Sequence, residues 1–300
     1  VKRAITSSDP EWPACLKELA PHDPPARLFL QGRRLDLSGG AIAVVGTRRP
    51  TGAGIEIATA IAQGLAEAGL VVVSGMAVGI DAAAHRAALE AGGHTIAVLG
   101  CGLDVAYPYP NRKLKARIAE QGTLVSEYEE GTSPTRFTFP RRNRIIAGLT
   151  QGVVVVEGSL RSGALVTARL ALDANRNVYA VPGSVRNPMA RGPNELIRTG
   201  RAALATGVEH IFEDLAPGMV WERHDDTRDG QSPAADEIEL AVLAALDDSP
   251  LPPDRFGATL GLKPGLLAAT LARLEVKDLV ERSPGGYALT TRGRRVSVRS

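Results

Sequence analysis

Residues 152–163 read Gly152-Val-Val-Val-Val-Glu-Gly-Ser-Leu-Arg-Ser-Gly163. Four valines stand in a row with no polar residue between them. A strand with one wet face alternates apolar and polar side chains. This run does not, so it is predicted to be buried on both faces, as strands of a parallel sheet are. A carboxylate and a glycine close the run. Leu165, Ala168 and Leu172 then share one face of a predicted helix. The same unit recurs on either side, with apolar runs at 41–46, 70–75, 95–100, 123–128 and 177–183. Ile57, Ile61 and Leu65 mark the helix after the first of these. Repeated strand–helix units with right-handed crossovers place helices on both sides of one sheet. The fold class is therefore α/β, a doubly wound, mostly parallel sheet over about 40–215. Trp12, Leu16 and Leu19, then 28–30, predict a helix and a strand that extend the same domain back to residue 1.

Residues 216–233 carry Pro217, Gly218, Gly230 and Pro233 among the acidic and basic side chains of 222–229. That is the composition of a linker. A small domain is expected over 234–300. Ile238, Leu240, Val242, Leu243 and Leu246 mark one helix, 256–262 a second and 266–274 a third. Residues 279–282 and 287–290 flank a Ser-Pro-Gly-Gly turn and read as a hairpin. Three helices and a hairpin describe a winged helix-turn-helix.

Composition excludes several classes. Hydrophobic residues make up 44% of the 300 and charged residues 23%, which is not a disordered chain. No apolar run approaches membrane-spanning length. The first residues carry Asp9, Glu11 and two prolines, and do not read as an export signal. Cys15 and Cys101 make no disulfide framework and read as thiols of a reducing cytoplasm. The five His are scattered, and no metal site or cofactor is expected. Net charge is only +2, so bulk charge points to no polyanion. Any such partner must be recognised locally.

Ligands of such a sheet bind at the carboxyl ends of its strands. Three loops there carry chemistry. The first is Gly46-Thr-Arg-Arg-Pro-Thr-Gly-Ala-Gly54, which opens a helix. Backbone amides at a helix N-terminus attract phosphate, and Arg48 adds a bidentate donor. The competing reading is a tight turn with Arg48 and Arg49 merely solvated. Neither a P-loop nor a dinucleotide fingerprint is present. The second is Thr135-Arg-Phe-Thr-Phe-Pro-Arg-Arg-Asn-Arg144, four Arg and two Phe in ten residues. No Asp or Glu occurs from 132 to 156. Its Arg side chains, Arg136, Arg141 and Arg142 among them, suit the phosphates of a single strand, and Phe137 and Phe139 suit unstacked bases. The competing reading buries the Phe and pairs the Arg with Glu127, Glu129 or Glu157. A mixture is expected, with one Phe buried and one exposed. Asn143 and Arg144 enter the following helix. The third is the 157–167 loop. Ser162 is a candidate N-cap, Gly163 allows close approach, and Thr167 follows one turn later. A second anion cradle and a plainly capped helix are equally open. Asp81 and His85, at i,i+4, are expected to pair locally on their helix. The terminal segment 234–300 holds nine acidic and nine basic residues. That disfavours duplex reading and favours a protein-interaction or modulatory role.

At these residues the chain resembles the DNA processing protein A family (DprA, also called Smf). The likeness rests on Gly46-Thr-Arg-Arg-Pro-Thr51, Ser74-Gly-Met-Ala-Val-Gly-Ile-Asp-Ala-Ala-Ala-His85 and Ala97-Val-Leu-Gly100. It continues through Tyr107-Pro108, Ser126-Glu127, Phe139-Pro-Arg-Arg-Asn-Arg-Ile-Ile-Ala-Gly-Leu149, Ser162-Gly-Ala-Leu-Val-Thr-Ala168 and Val181-Pro-Gly183. The resemblance implies an extended Rossmann-like domain with a winged-helix appendage and no known catalytic activity. It implies binding of single-stranded DNA, protection of incoming DNA in natural transformation, help in loading the RecA recombinase, and a homodimer in the cytoplasm. It places Gly46, Thr47 and Arg48 at the phosphate loop, Arg136 at a DNA-contacting position and Phe139 at a stacking position. The chain departs from the family at Tyr109, where many members carry Lys after the Tyr-Pro pair. Arg112 or Lys113 is the nearest replacement cation.

A rival enzyme class remains on the residues alone. A Rossmann-type nucleotide-processing enzyme, similar to a phosphoribohydrolase, would use Glu127 or Glu157 near a ribose. A transcription factor acting through the winged helix is the third class.

Overall fold

The apolar runs become strands. The computed structural model describes residues 2–19, 23–215, 237–246, 252, 260, 262, 264–283 and 286–290. The chain divides into two compact units, Val1–Trp221 and Glu222–Ser300. Among the described residues of the first, one sheet contains β1 (Lys2–Thr6), β2 (Arg27–Gly32), β3 (Ala41–Val45), β4 (Val71–Ser74) and β5 (Thr95–Leu99). It continues with β6 (Thr123–Ser126), β7 (Gly152–Val155), β8 (Asn177–Ala180) and β9 (Ala203–Leu204). Their order is β1-β2-β6-β5-β4-β3-β7-β8-β9. From β6 to β9 every neighbouring pair is parallel, and β2 joins β6 antiparallel. The helices are α1 (Gly52–Glu67), α2 (Ile80–Glu90), α3 (Arg112–Gln121), α4 (Thr138–Gly148), α5 (Gly163–Asp173), α6 (Arg191–Arg198) and α7 (Glu209–Leu215).

Alternation along the strands sorts two cores. Ala41, Ala43, Val45, Val153 and Val155 pack with Ile145, Ile146, Ala164 and Ala168 on one face. Ile42, Val44, Val154 and Val156 pack with Ala58, Ile61, Leu65, Ala84 and Ala88 on the other. Both faces of β3 and β7 are covered, as the unbroken valine run predicts. The buried stripe of α5 is Ala164, Thr167, Ala168 and Ala171, small residues that let the helix lie close to its neighbours.

Three details differ from the sequence reading. The stretch Ala14–Leu19 winds as 3-10 turns. Leu16 and Leu19, three apart, superpose on one side of such turns, and both are buried against Gly148. Strands β1 and β9 carry no signal in the sequence. Only Ile5 of β1 is buried, and β9 has two exposed residues, so neither shows a core pattern.

The second unit has its own core. Helices α8 (Glu237–Ala245) and α9 (Pro264–Val276) pack beside the antiparallel hairpin β10 (Val280–Ser283) and β11 (Gly286–Leu289). Val242, Leu243, Leu267, Leu271, Leu274 and Leu289 fill it. These are elements of the expected winged helix. The expected linker at 216–233, most of the second helix at 256–262 and the basic tail at 292–299 lie outside the described residues.

Candidate nucleic-acid interface

Strands β3 and β7 are neighbours whose chains leave in opposite directions. From β3 the chain runs through α1 to β4, and from β7 through α5 to β8 on the other side. A crevice opens at such a point, outside the carboxyl ends of the strands. Here it is a cleft of about 510 Å³. The loop after β3, the start of α4 and the start of α5 wall it. Gly46, Thr47, Arg48, Phe139, Arg142, Asn143, Ser162, Gly163 and Thr167 all line it, as do Arg49, Asp81 and Met189. Arg136 and Arg141 lie outside its lining. The three segments marked in the sequence therefore meet in one place.

The β3–α1 loop is held from below. Thr47 N donates to Glu157 O at 2.7 Å, and Arg49 N donates to Thr47 Oγ1 at 3.2 Å. Gly79, at φ +88°, packs so closely that a Cβ there would lie 2.4 Å from Thr47 O. The α1 N-terminus is already occupied by a carboxylate. Buried Glu157 accepts from Thr51 N at 2.9 Å, Thr51 Oγ1 at 2.7 Å and Asn187 Nδ2 at 3.0 Å. This changes the sequence reading of the loop. An internal anion engages the helix mouth, so the positive charge facing the cleft comes from Arg48 and Arg49.

The α5 N-terminus differs. Its N-cap Ser162 makes no side-chain capping bond, and among the described residues Ser162 Oγ is buried without a hydrogen-bond partner. A Cβ on Gly163 would meet nothing within 4 Å. This mouth opens on the cleft, with no side-chain cap of its own. Thr167 Oγ1 turns back to Gly163 O at 3.3 Å.

The arginine-rich segment separates into two kinds. Arg142 is buried and donates to Gly75 O at 2.7 Å, to Val98 O and, through Nε, to Asn143 Oδ1. Burial pulls its pKa down to about 10, while the neighbouring Asp81 opposes that shift. Asn143 donates to Gly163 O at 3.3 Å and so ties α4 to the α5 mouth. Arg144 pairs with Glu127 at 2.6 Å, and Arg141 with Asp23 at 3.2 Å. By contrast, Arg48, Arg49, Arg112, Lys113 and Arg136 make no ion pair among the described residues. Arg48 lies 5.5 Å from the centroid of the Phe139 ring. Arg136 lies 4.7 Å from that of Phe137, which is 70% exposed. Phe139 is half-buried, against Tyr107 at 5.5 Å between centroids. The more accessible ring is thus Phe137, not the Phe139 singled out from the sequence.

Asp81 and His85 do not form the local pair expected from their spacing. Asp81 turns to the strand ends and accepts from Gly75 N at 3.1 Å and Ala77 N at 3.3 Å. Burial pushes its carboxyl up. His85 instead meets Thr95 Oγ1 through Nδ1 at 2.7 Å. The carboxylates an enzymatic reading needs are engaged, Glu157 by α1 and Glu127 by Arg144. Among the described residues no group of three His, Cys, Asp or Glu could hold a metal, and no helix is long and apolar enough to cross a membrane. Sequence reasoning missed Met189 and Asn187, which come from the loop after β8. Neither stands in a charged or glycine-rich pattern. Gly79 stood only within a stretch shared with the family, and its packing against Thr47 was not legible.

Known proteins resemble the chain in sequence and fold. The family profile described as DNA recombination-mediator protein A matches residues 3–216, and that of the DprA winged helix domain matches 226–286. Protein Smf of Escherichia coli is 40% identical over 273 residues, 90% of this chain and 73% of that protein. DNA processing protein DprA of Bacillus subtilis is 43% identical over 212 residues, 70% of each chain. The X-ray structure of DprA from Streptococcus pneumoniae superposes with a TM-score of 0.67 at 43% identity, covering 71% of this chain and 74% of that one. DprA from Helicobacter pylori, whose structural study concerns its single-stranded DNA binding mode, gives 0.65 at 31% identity over 71% of this chain and 95% of its own. The chain belongs to the DNA recombination-mediator protein A family.

Proposed function

We propose that the cleft binds single-stranded DNA. On this reading the protein is a recombination mediator that protects incoming single strands in natural transformation and helps load RecA. The observation that carries it is the meeting of unpaired Arg48 and Arg49, the Phe139 ring and the open α5 mouth in one cleft. Phosphates sit on the guanidinium groups and at the α5 amides. A base stacks on an aromatic ring, which a duplex would not offer. Exposed Arg136 and Phe137, three and two residues before Phe139, continue that surface. The buried Arg142 adds positive charge under the floor, and Asn143 and Thr167 hold the α5 mouth in position. The relative from Helicobacter pylori supports the assignment. The role is binding, not catalysis, because Glu127 and Glu157 are both engaged elsewhere. The reading includes a homodimer, a cytoplasmic setting, a linker over 216–233, and domains at 1–215 and 234–300.

Fluorescence anisotropy with labelled single-stranded and duplex oligonucleotides across a salt series tests it. The wild type is expected to prefer the single strand. Arg48→Ala and Arg136→Ala are each expected to weaken it about tenfold. Each should also flatten the salt slope by about 0.7 for every phosphate it no longer neutralises. Unchanged affinity in both folded variants would refute the assignment.

A further inference from the structure

We propose that Tyr109 and Arg112 form a second base-stacking platform, on which a single strand leaving the cleft continues. The inference rests on the single-strand reading above and extends it to residues outside the cleft.

A smaller cavity of about 80 Å³ adjoins the cleft and shares Arg48, Phe139 and Arg142 with it. Its other wall is Tyr107 and Pro108. Two residues beyond Tyr107, at most about 7.6 Å along the chain, stands Tyr109. Its ring is 65% exposed, so it contributes little to any core. The Arg112 guanidinium lies 4.4 Å from its centroid. Arg112 and Lys113 are exposed and make no ion pair among the described residues. An exposed ring with a cation on one face leaves the other face for a planar, electron-rich partner. The nearby cations suit the phosphate that a base carries with it. The same construction, Arg136 against Phe137, stands at the start of α4.

The platform is rigid. Asn111 is buried and donates from Nδ2 to Met76 O at 2.9 Å, which fixes the 109–111 turn to the loop lining the small cavity. Lys115 Nζ donates to Leu103 O at 2.7 Å and Val105 O at 2.6 Å, which holds the approach to Tyr107. A ring held in place before binding loses little entropy when a base settles on it.

The test uses the full chain and labelled oligothymidylates of about four and about twenty nucleotides, with an abasic twenty-mer as a third probe. Tyr109→Ala is expected to weaken the long oligomer about fivefold or more. It should leave the short oligomer and the abasic probe unchanged, and Tyr109→Phe should restore full affinity. Arg48→Ala, run in parallel, should weaken both lengths. If Arg48→Ala weakens binding and Tyr109→Ala does not, the platform is refuted and the cleft stands. Equal losses on the normal and abasic long oligomers also refute stacking. If Arg48→Ala and Arg136→Ala both bind like wild type, the underlying reading falls instead. Tyr109 is exposed, so a thermal melt will confirm that each variant folds.

Discussion

His85 illustrates how a single side chain sets a measurable property. Thr95 Oγ1 donates to Val72 O at 2.7 Å, so it accepts from His85 Nδ1, and the imidazole is held neutral with its proton on that nitrogen. Burial first, then the nearby Arg142 charge, depress its pKa from 6.5 to about 3. Below pH 6.5 the unfolded chain takes up a proton that the fold refuses. The stability this group supports is therefore complete above 6.5 and falls as pH drops toward 3. Between pH 7.5 and 5 the loss reaches about 2 kcal/mol. His94, depressed to about 4 chiefly by burial, acts in the same window. Urea unfolding at a series of pH values should show the decline, and His85→Gln should roughly halve its slope. An unaltered slope would place the refused proton elsewhere. Glu157 is a second such residue. Glu157→Ala strands Thr51 N, Thr51 Oγ1 and Asn187 Nδ2, and is expected to cost about 2–4 kcal/mol in the same assay.

The helix mouths separate what was legible from what was not. Runs such as 41–46 and 152–158 announced the strands because burial on both faces leaves no polar position. The three loops were legible because each joins such a run to a helix or concentrates Arg and Phe. Residue types alone did not distinguish the α1 mouth from the α5 mouth. That depends on Glu157 folding back over 106 residues of chain separation to reach Thr51. In the same way, four Arg in ten residues did not reveal that Arg142 serves the carbonyls of Gly75 and Val98, since those acceptors come from just after β4 and from β5. Two glycines make the contrast testable. Gly79→Ala forces a methyl against Thr47 O at positive φ. It should lower stability by about 2 kcal/mol, roughly 4–8 °C in Tm. Gly163→Ala meets open space in the fold but intrudes on the α5 mouth. Its Tm should stay within about 2 °C of wild type while single-strand affinity falls about fivefold. Unimpaired binding by Gly163→Ala would mean that no phosphate reaches that helix end.

Across the whole molecule, charge is nearly balanced, with 35 basic and 33 acidic residues. Diffuse attraction to a polyanion is therefore weak, and binding must rest on cations placed locally at the site. Five stand on or beside the proposed track: Arg48, Arg49, Arg112, Lys113 and Arg136. At about 0.7 per neutralised phosphate of a single strand, they set an upper slope of roughly −3.5 for log affinity against log salt. In the second unit, Arg273 near the end of α9 and Lys277 just beyond it both pair with the buried Glu239, at 3.0 and 2.5 Å. A recognition helix that reads duplex DNA keeps such charges outward. Residues 1–221 alone are therefore expected to bind single strands within about twofold of the full chain and with the same salt slope. A tenfold loss, or a slope shallower by one unit or more, would assign phosphate contacts to the second unit and overturn the division of labour argued from its charges.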